Sequence, residues 1–216
     1  MLEVQVMAPK EFKVLLIPVR LVDKKGKPIP RGGLWGFGGT DVQGTVPIAS
    51  NLDRYLNSIY KPQTNCTFKC TPYSGIVSKY YEHDSKTFAL NYWSSTQTPA
   101  TNEMFNSIEN ADPVVFGQYD MLLFFVYKLN TNGMDGITTG PKSAFLHTAS
   151  VPHTIAHEIG HIRNLIHPFL GVDDASLEKV PDRWNRRLMN HHFSPQDAGI
   201  DLIKPEWIKV NPDSAR

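Results

Sequence analysis

A chain of 216 residues with 41 % apolar content has enough material for one sizeable core, and a single domain spanning 1–216 is expected. Its 22 basic against 21 acidic residues leave a net charge of +1, so composition gives no electrostatic case for nucleic acid or an anionic membrane as a partner. No apolar run reaches the roughly 18 residues that a membrane-spanning helix needs, and no internal repeat is visible.

Residues 1–10 lack the basic stretch, apolar run and small-residue cleavage site of a secretory signal, which leaves the compartment open: a mature secreted form, an excised domain and export by another route are all compatible. Residues 12–22, with Val14, Leu15, Leu16, Ile17, Val19, Leu21 and Val22, read as a buried strand ended by a turn at 24–28. The glycine-rich run 31–39 reads as a loop around Trp35 and Phe37, and no Gly-Lys-Ser/Thr follows to make it a phosphate loop. Over 48–60, Leu52, Tyr55, Leu56 and Ile59 recur at helical spacing, and Pro62 is expected to end that helix. A strand over 65–69, another over 87–93 and a short helix over 102–110 closed by Pro113 follow. Cys66 and Cys70 are the only cysteines. On an extended strand they would lie about 13 Å apart, too far to bridge, whereas a tight turn would let them pair, so their redox state stays open.

Residues 119–129, centred on Met121, Leu122, Leu123, Phe124, Phe125 and Val126, form a second strongly apolar strand and the expected centre of the sheet. A short segment at 135–140 precedes one more strand at 142–148. A helix is expected to begin at Ser150, with Pro152 in its first turn, where a missing N–H costs little.

That helix carries His157, Glu158 and His161. Side chains four apart stack on one helix face about 6 Å from each other, so the two histidines can hold one zinc ion. Glu158 points to the side of that face, where its carboxylate reaches a water without being a ligand; that is the position of a general base. A third histidine, His167, reaches the same ion only if the helix stops abruptly after His161. Asn164 suits the stop, because asparagine follows glycine as the residue most ready to take a positive φ. Pro168 then biases His167 toward extended backbone. Glu178 is the alternative third ligand, and His153, one turn before His157, either lines the cleft or packs. A structural zinc site is usually closed by four ligands rich in cysteine, whereas three histidines leave one position open.

The pattern His157-Glu158-x-x-His161-x-x-Asn164-x-x-His167, followed by Met189 in Arg187-Leu188-Met189-Asn190-His191, resembles the metzincin clan of zinc metallopeptidases. The clan has glycine where this chain has Asn164, and Met189 matches its Met-turn, an apolar floor under the zinc. The resemblance implies an α/β (α+β) fold: a twisted mixed sheet packed on helices over about 1–167, a small irregular subdomain over about 168–216, and the active-site cleft between them. In the second part, 171–180 reads as an acidic loop and 197–209 as a terminal helix bent or broken at Pro205. The implied activity is a zinc-dependent endopeptidase, expected to be monomeric, with one catalytic Zn2+ on His157, His161 and His167 and a peptide or protein as substrate. The clan further implies that 135–140 is an edge strand pairing with that substrate, and that His191 stands where some families carry a zinc-proximal tyrosine. A peptidase toxin or effector is an alternative biological setting. A non-catalytic zinc protein on the same fold is the alternative from another class, and Glu158 argues against it.

Overall fold

The longest strand, β1 (Lys10–Val22), carries partners along both of its edges. The computed structural model describes residues 7–22, 25–27, 43–80, 105–126, 136–148, 150–165, 188–189, 202 and 209–211. The first half of β1 pairs in parallel with β2 (Cys66–Pro72), and its last four residues pair with β3 (Val77–Tyr80). β4 (Met121–Val126) takes the other edge, also in parallel. β5 (Gly136–Thr138) is antiparallel to β6 (Ser143–His147), which is itself parallel to β4, giving the order β2-β1-β4-β6-β5 in a six-stranded sheet. β4 is therefore the middle strand, as its composition suggested, and all six of its residues are buried.

Alternation along the strands sorts their side chains onto two covered faces, which is why β1 and β4 read as continuous apolar runs. Leu15, Ile17, Leu122, Phe124 and Phe145 meet Phe105, Ile108 and Phe116; the last lies in the helical turn α2 (Pro113–Phe116). The stacked pair Phe124 and Phe145, 4.8 Å between ring centroids, sits on this side. Val14, Leu16, Met121, Leu123, Phe125, Ala144 and Leu146 face the other way, onto α1 (Ala49–Thr64) and α3 (Pro152–Ile162). The mixed sheet packed with helices matches the expected fold class.

Four expectations are corrected. α1 runs through Pro62 and ends two residues beyond it at Thr64, capped by Asn65 at φ 53°, because Gln63, Thr64 and Asn65 supply hydrogen bonds to the carbonyls of Ile59, Tyr60 and Lys61. Pro113 opens α2 with Asp112 as its cap, besides following the helical residues 105–109. α3 starts at Pro152 with Val151 as its cap, not at Ser150, whose N–H instead returns to His147. Leu202, expected within a terminal helix, is not helical. β3 had no counterpart in the sequence reading. The strand at 87–93, the loops at 31–39 and 171–180 and most of 168–216 lie outside the described residues. Cys66 and Cys70 sit on one strand as buried thiols with no disulfide between them, and burial beside Asp53 pushes the Cys70 thiol up, away from thiolate chemistry. Among the described residues no helix is long and apolar enough to cross a membrane.

Candidate functional site

α3 owes its orientation to its apolar side. Ile155, Ala156, Ile159 and Ile162 are buried against the sheet and α1, which turns His157 and His161 toward the opposite, partly open side. Tyr60 of α1 donates its buried hydroxyl to the Ala156 carbonyl at 2.7 Å and so ties the two helices together. The rings of His157 and His161 lie 4.7 Å apart, nearly perpendicular at 86°. His157 Nδ1 is 2.9 Å from the Leu188 carbonyl and His161 Nδ1 is 2.8 Å from the Leu165 carbonyl. A carbonyl only accepts, so each Nδ1 carries a proton, and in the neutral ring the lone pair belongs to Nε2. Both histidines thus present the same nitrogen.

Each supporting carbonyl comes from a turn. Asn164 adopts φ 61°, the Leu165 N–H reaches back to the Gly160 carbonyl at 3.0 Å, and the Asn164 N–H reaches the His161 carbonyl at 2.9 Å. These are the paired bonds of a Schellman turn, the stop that the sequence required, and they deliver the Leu165 carbonyl to His161. The second turn is Leu188-Met189, fully buried although it is distant in sequence. Met189 packs beneath α3 at Gly160, where a Cβ would fall on the methionine sulfur. Glycine is what lets the thioether come so close, an approach that outweighs its cost inside a helix of about 1 kcal/mol.

Glu158 points from the helix toward β5 and is only 6 % exposed. Thr138 donates its hydroxyl to Oε2 at 2.8 Å and lies 3.1 Å from the Glu158 main-chain carbonyl. Burial raises the carboxyl from its ordinary 4.5 to about 7, and the Thr138 bonds oppose the rise. A carboxylate poised there can accept and return a proton near neutrality. Burial also lowers the pKa of His153, and its Nδ1 finds no hydrogen-bond partner among the described residues, so it reads as a neutral packed imidazole.

No protein-family model and no curated protein matches this chain. The reading of the site therefore rests on its own geometry. Ring N–H groups pinned by main-chain carbonyls, on two histidines one helical turn apart, are the usual support of zinc-ligating imidazoles, so His157 and His161 fit the ion by donor chemistry. Among the described residues no three His, Cys, Asp or Glu side chains converge into a full ligand set. His167, Glu178 and His191 lie outside the described residues. The structure thus brings His157, Glu158, His161, Asn164 and Met189 together. Sequence reasoning singled out Gly136 for an unshielded edge backbone but missed its packing against Glu158, and it missed Thr138 and the Leu165 and Leu188 carbonyls. Gly160, a glycine inside a helix beside a candidate ligand, was the one available signal of close packing. Thr138 gave none, since its contact is made through the sheet.

Proposed function

We propose that the chain is a zinc-dependent endopeptidase of metzincin type, its cleft lying between an upper part of about 1–167 and a lower part of about 168–216. The observation that carries this reading is the joint placement of two carbonyl-pinned histidines one turn apart and a buried carboxylate between them in sequence. The left-handed Asn164 and the methionine packed at Gly160 support it, because both are what the resemblance requires at those positions. His167 completes the ligand set in this proposal. Zinc, when bound there, supplies Lewis acidity that polarises a scissile carbonyl and eases deprotonation of water.

The chain's own residues do the rest. Thr138 holds Oε2 of Glu158, which leaves Oε1 to take a proton from the attacking water and pass it to the departing amine. β5 is an antiparallel edge strand whose outer side bears no strand among the described residues, so its main chain can add an extended substrate to the sheet. His191 is proposed as a donor to the developing oxyanion.

Metal analysis of the purified protein and a peptide-library digest with and without chelator test the proposal. About one zinc per chain and chelator-sensitive cleavage are expected. His167→Ala should lower zinc affinity far more than Glu178→Ala, and the reverse ranking would remove the metzincin assignment.

A further inference from the structure

Successive residues of a strand face opposite ways, and β5 uses that alternation at the candidate base. Ile137 packs into the aromatic core on one side of the sheet, while Gly136 and Thr138 face α3 on the other. The register fixes them there: Gly136 lies opposite Leu146 and Thr138 opposite Ala144, both fully buried in β6. At Gly136 an added Cβ would come 2.7 Å from Cγ and 3.1 Å from Cδ of Glu158, so the glutamate stem lies directly against bare strand backbone. At Thr138 the hydroxyl holds Oε2. The strand's far end is anchored as well, since Thr139 and Ser143 both donate to Glu109 Oε1 at 2.7 and 2.6 Å.

We infer that Thr138 is a positioning residue for Glu158, acting with the slot at Gly136 so that the edge strand sets the direction of the carboxylate. This rests on the peptidase reading above. A threonine suits the task because its β-branched side chain is stiff about χ1 and aims its hydroxyl without a large entropic loss. Without the hydroxyl, Oε2 loses the donor that holds it and the carboxyl keeps only the main chain of Thr138 as a partner, which leaves it freer to turn away from the direction in which it exchanges a proton. The consequence falls on turnover, because the substrate meets the strand's main chain whichever side chain stands at 138.

The test compares Thr138→Val, which keeps the shape and removes the hydroxyl, with Thr138→Ser, which keeps the hydroxyl. On a peptide found by the library digest, Thr138→Val should lower kcat by about 10-fold to 100-fold with KM within about twofold, and Thr138→Ser should recover kcat to within about threefold of wild type. Zinc content should be unchanged in both. A second readout does not use activity: Thr138→Val should lower the Tm of the zinc-loaded protein, and the same substitution in a Glu158→Ala background should lower it much less, since the partner is gone. Wild-type kcat in Thr138→Val, failure of serine to rescue, or equal Tm losses in the two backgrounds would each overturn the inference. A wild-type protein that cleaves no peptide would sink the peptidase reading and any catalytic role for Thr138 with it, while the Tm comparison would still decide whether Thr138 holds Glu158.

Discussion

Helices α1 and α3 end in the same way and do different work. Each stops at an asparagine in the left-handed region, Asn65 at φ 53° and Asn164 at φ 61°. Beyond α1, the polar groups of the last turn close on one another: Thr64 bonds the Tyr60 carbonyl, Asn65 returns to Lys61, and Asn211 reaches the Thr64 carbonyl. Beyond α3, the turn directs the Leu165 carbonyl at a side chain, His161, and so selects which ring nitrogen holds a proton. One turn seals a helix, and the other orients a reactive group. The difference teaches that the local conformation is set by the asparagine, whereas its use is set by what lies within reach of the freed carbonyl.

The comparison breaks most visibly at the chemical groups. Glu158→Gln keeps the shape of the side chain and removes its capacity to carry a proton, so peptidase turnover should fall about 100-fold to 10,000-fold while zinc content holds. Tyr60→Phe, the matching loss of a single polar group on α1, removes the bond to Ala156 and should cost about 1 kcal/mol of stability with turnover nearly unchanged. Kinetic assays beside thermal melts separate the two. Wild-type cleavage by Glu158→Gln would take the base role away from this residue.

Burial of Glu158 makes α3 pH-sensitive near neutrality. Its folded pKa, about 7, stands above the ordinary 4.5, so the folded chain holds this proton more tightly than the unfolded chain. The associated stability is fully present below about 4.5 and is lost as pH rises through about 7. In chelator-treated protein, Glu158→Gln should remove this loss and raise stability at pH 8 by on the order of 3 kcal/mol, with no gain at pH 4. Urea melts at the two pH values check it. A bound dication nearby favours the carboxylate and should shrink the difference.

Much of this arrangement was legible in the chain. β1 and β4 stood out because both faces of a parallel strand are covered, so no polar alternation interrupts Leu15 to Ile17 or Leu122 to Val126. The end of α3 was legible because the spacing to His167 demanded a turn that few residues allow. What escaped was non-local or short. β3 has four residues and no periodicity to find, and Pro62 was misread because the bonds that carry α1 past it come from Gln63, Thr64 and Asn65. Thr138 meets Glu158 only because β5 folds antiparallel onto β6, a register that nothing near residue 138 announces.

Packing under α3 offers a sharper probe than anything on the apolar face of α1, where Leu52, Leu56 and Ile59 meet other hydrocarbons. Gly160→Ala would drive a methyl group onto the Met189 sulfur, forcing the thioether from its place against α3. Overpacking of this kind costs about 1 to 3 kcal/mol, against which the better helix propensity of alanine returns less than about 1. A lower Tm and weakened zinc retention are expected together. An unchanged Tm would show that Met189 is not packed as described.

The smallest effect bears most directly on the two turns. Alanine at a left-handed position costs about 1 kcal/mol, so Asn164→Ala should lose about that much and Asn65→Ala about 1 kcal/mol more, since the Asn65 amide also bonds the Met7 carbonyl. They should also part on zinc. Asn164→Ala strains the turn that presents the Leu165 carbonyl to His161, and loss of such an outer partner weakens metal affinity by about tenfold or more, whereas Asn65→Ala should leave affinity as it was. Glycine gives the converse control. Asn164→Gly supplies the residue usual in the clan at a position that is exposed, and should keep both stability and zinc affinity. Asn65→Gly should lose about 1 kcal/mol, because the Asn65 amide also donates to the Met7 carbonyl at 2.7 Å. Titration with a competing chelator, run beside melts on all four variants, decides the matter. Equal zinc affinity in the two alanine variants would mean that the carbonyl of Leu165 follows His161 rather than directing it, and the functional distinction between the two turns would be lost.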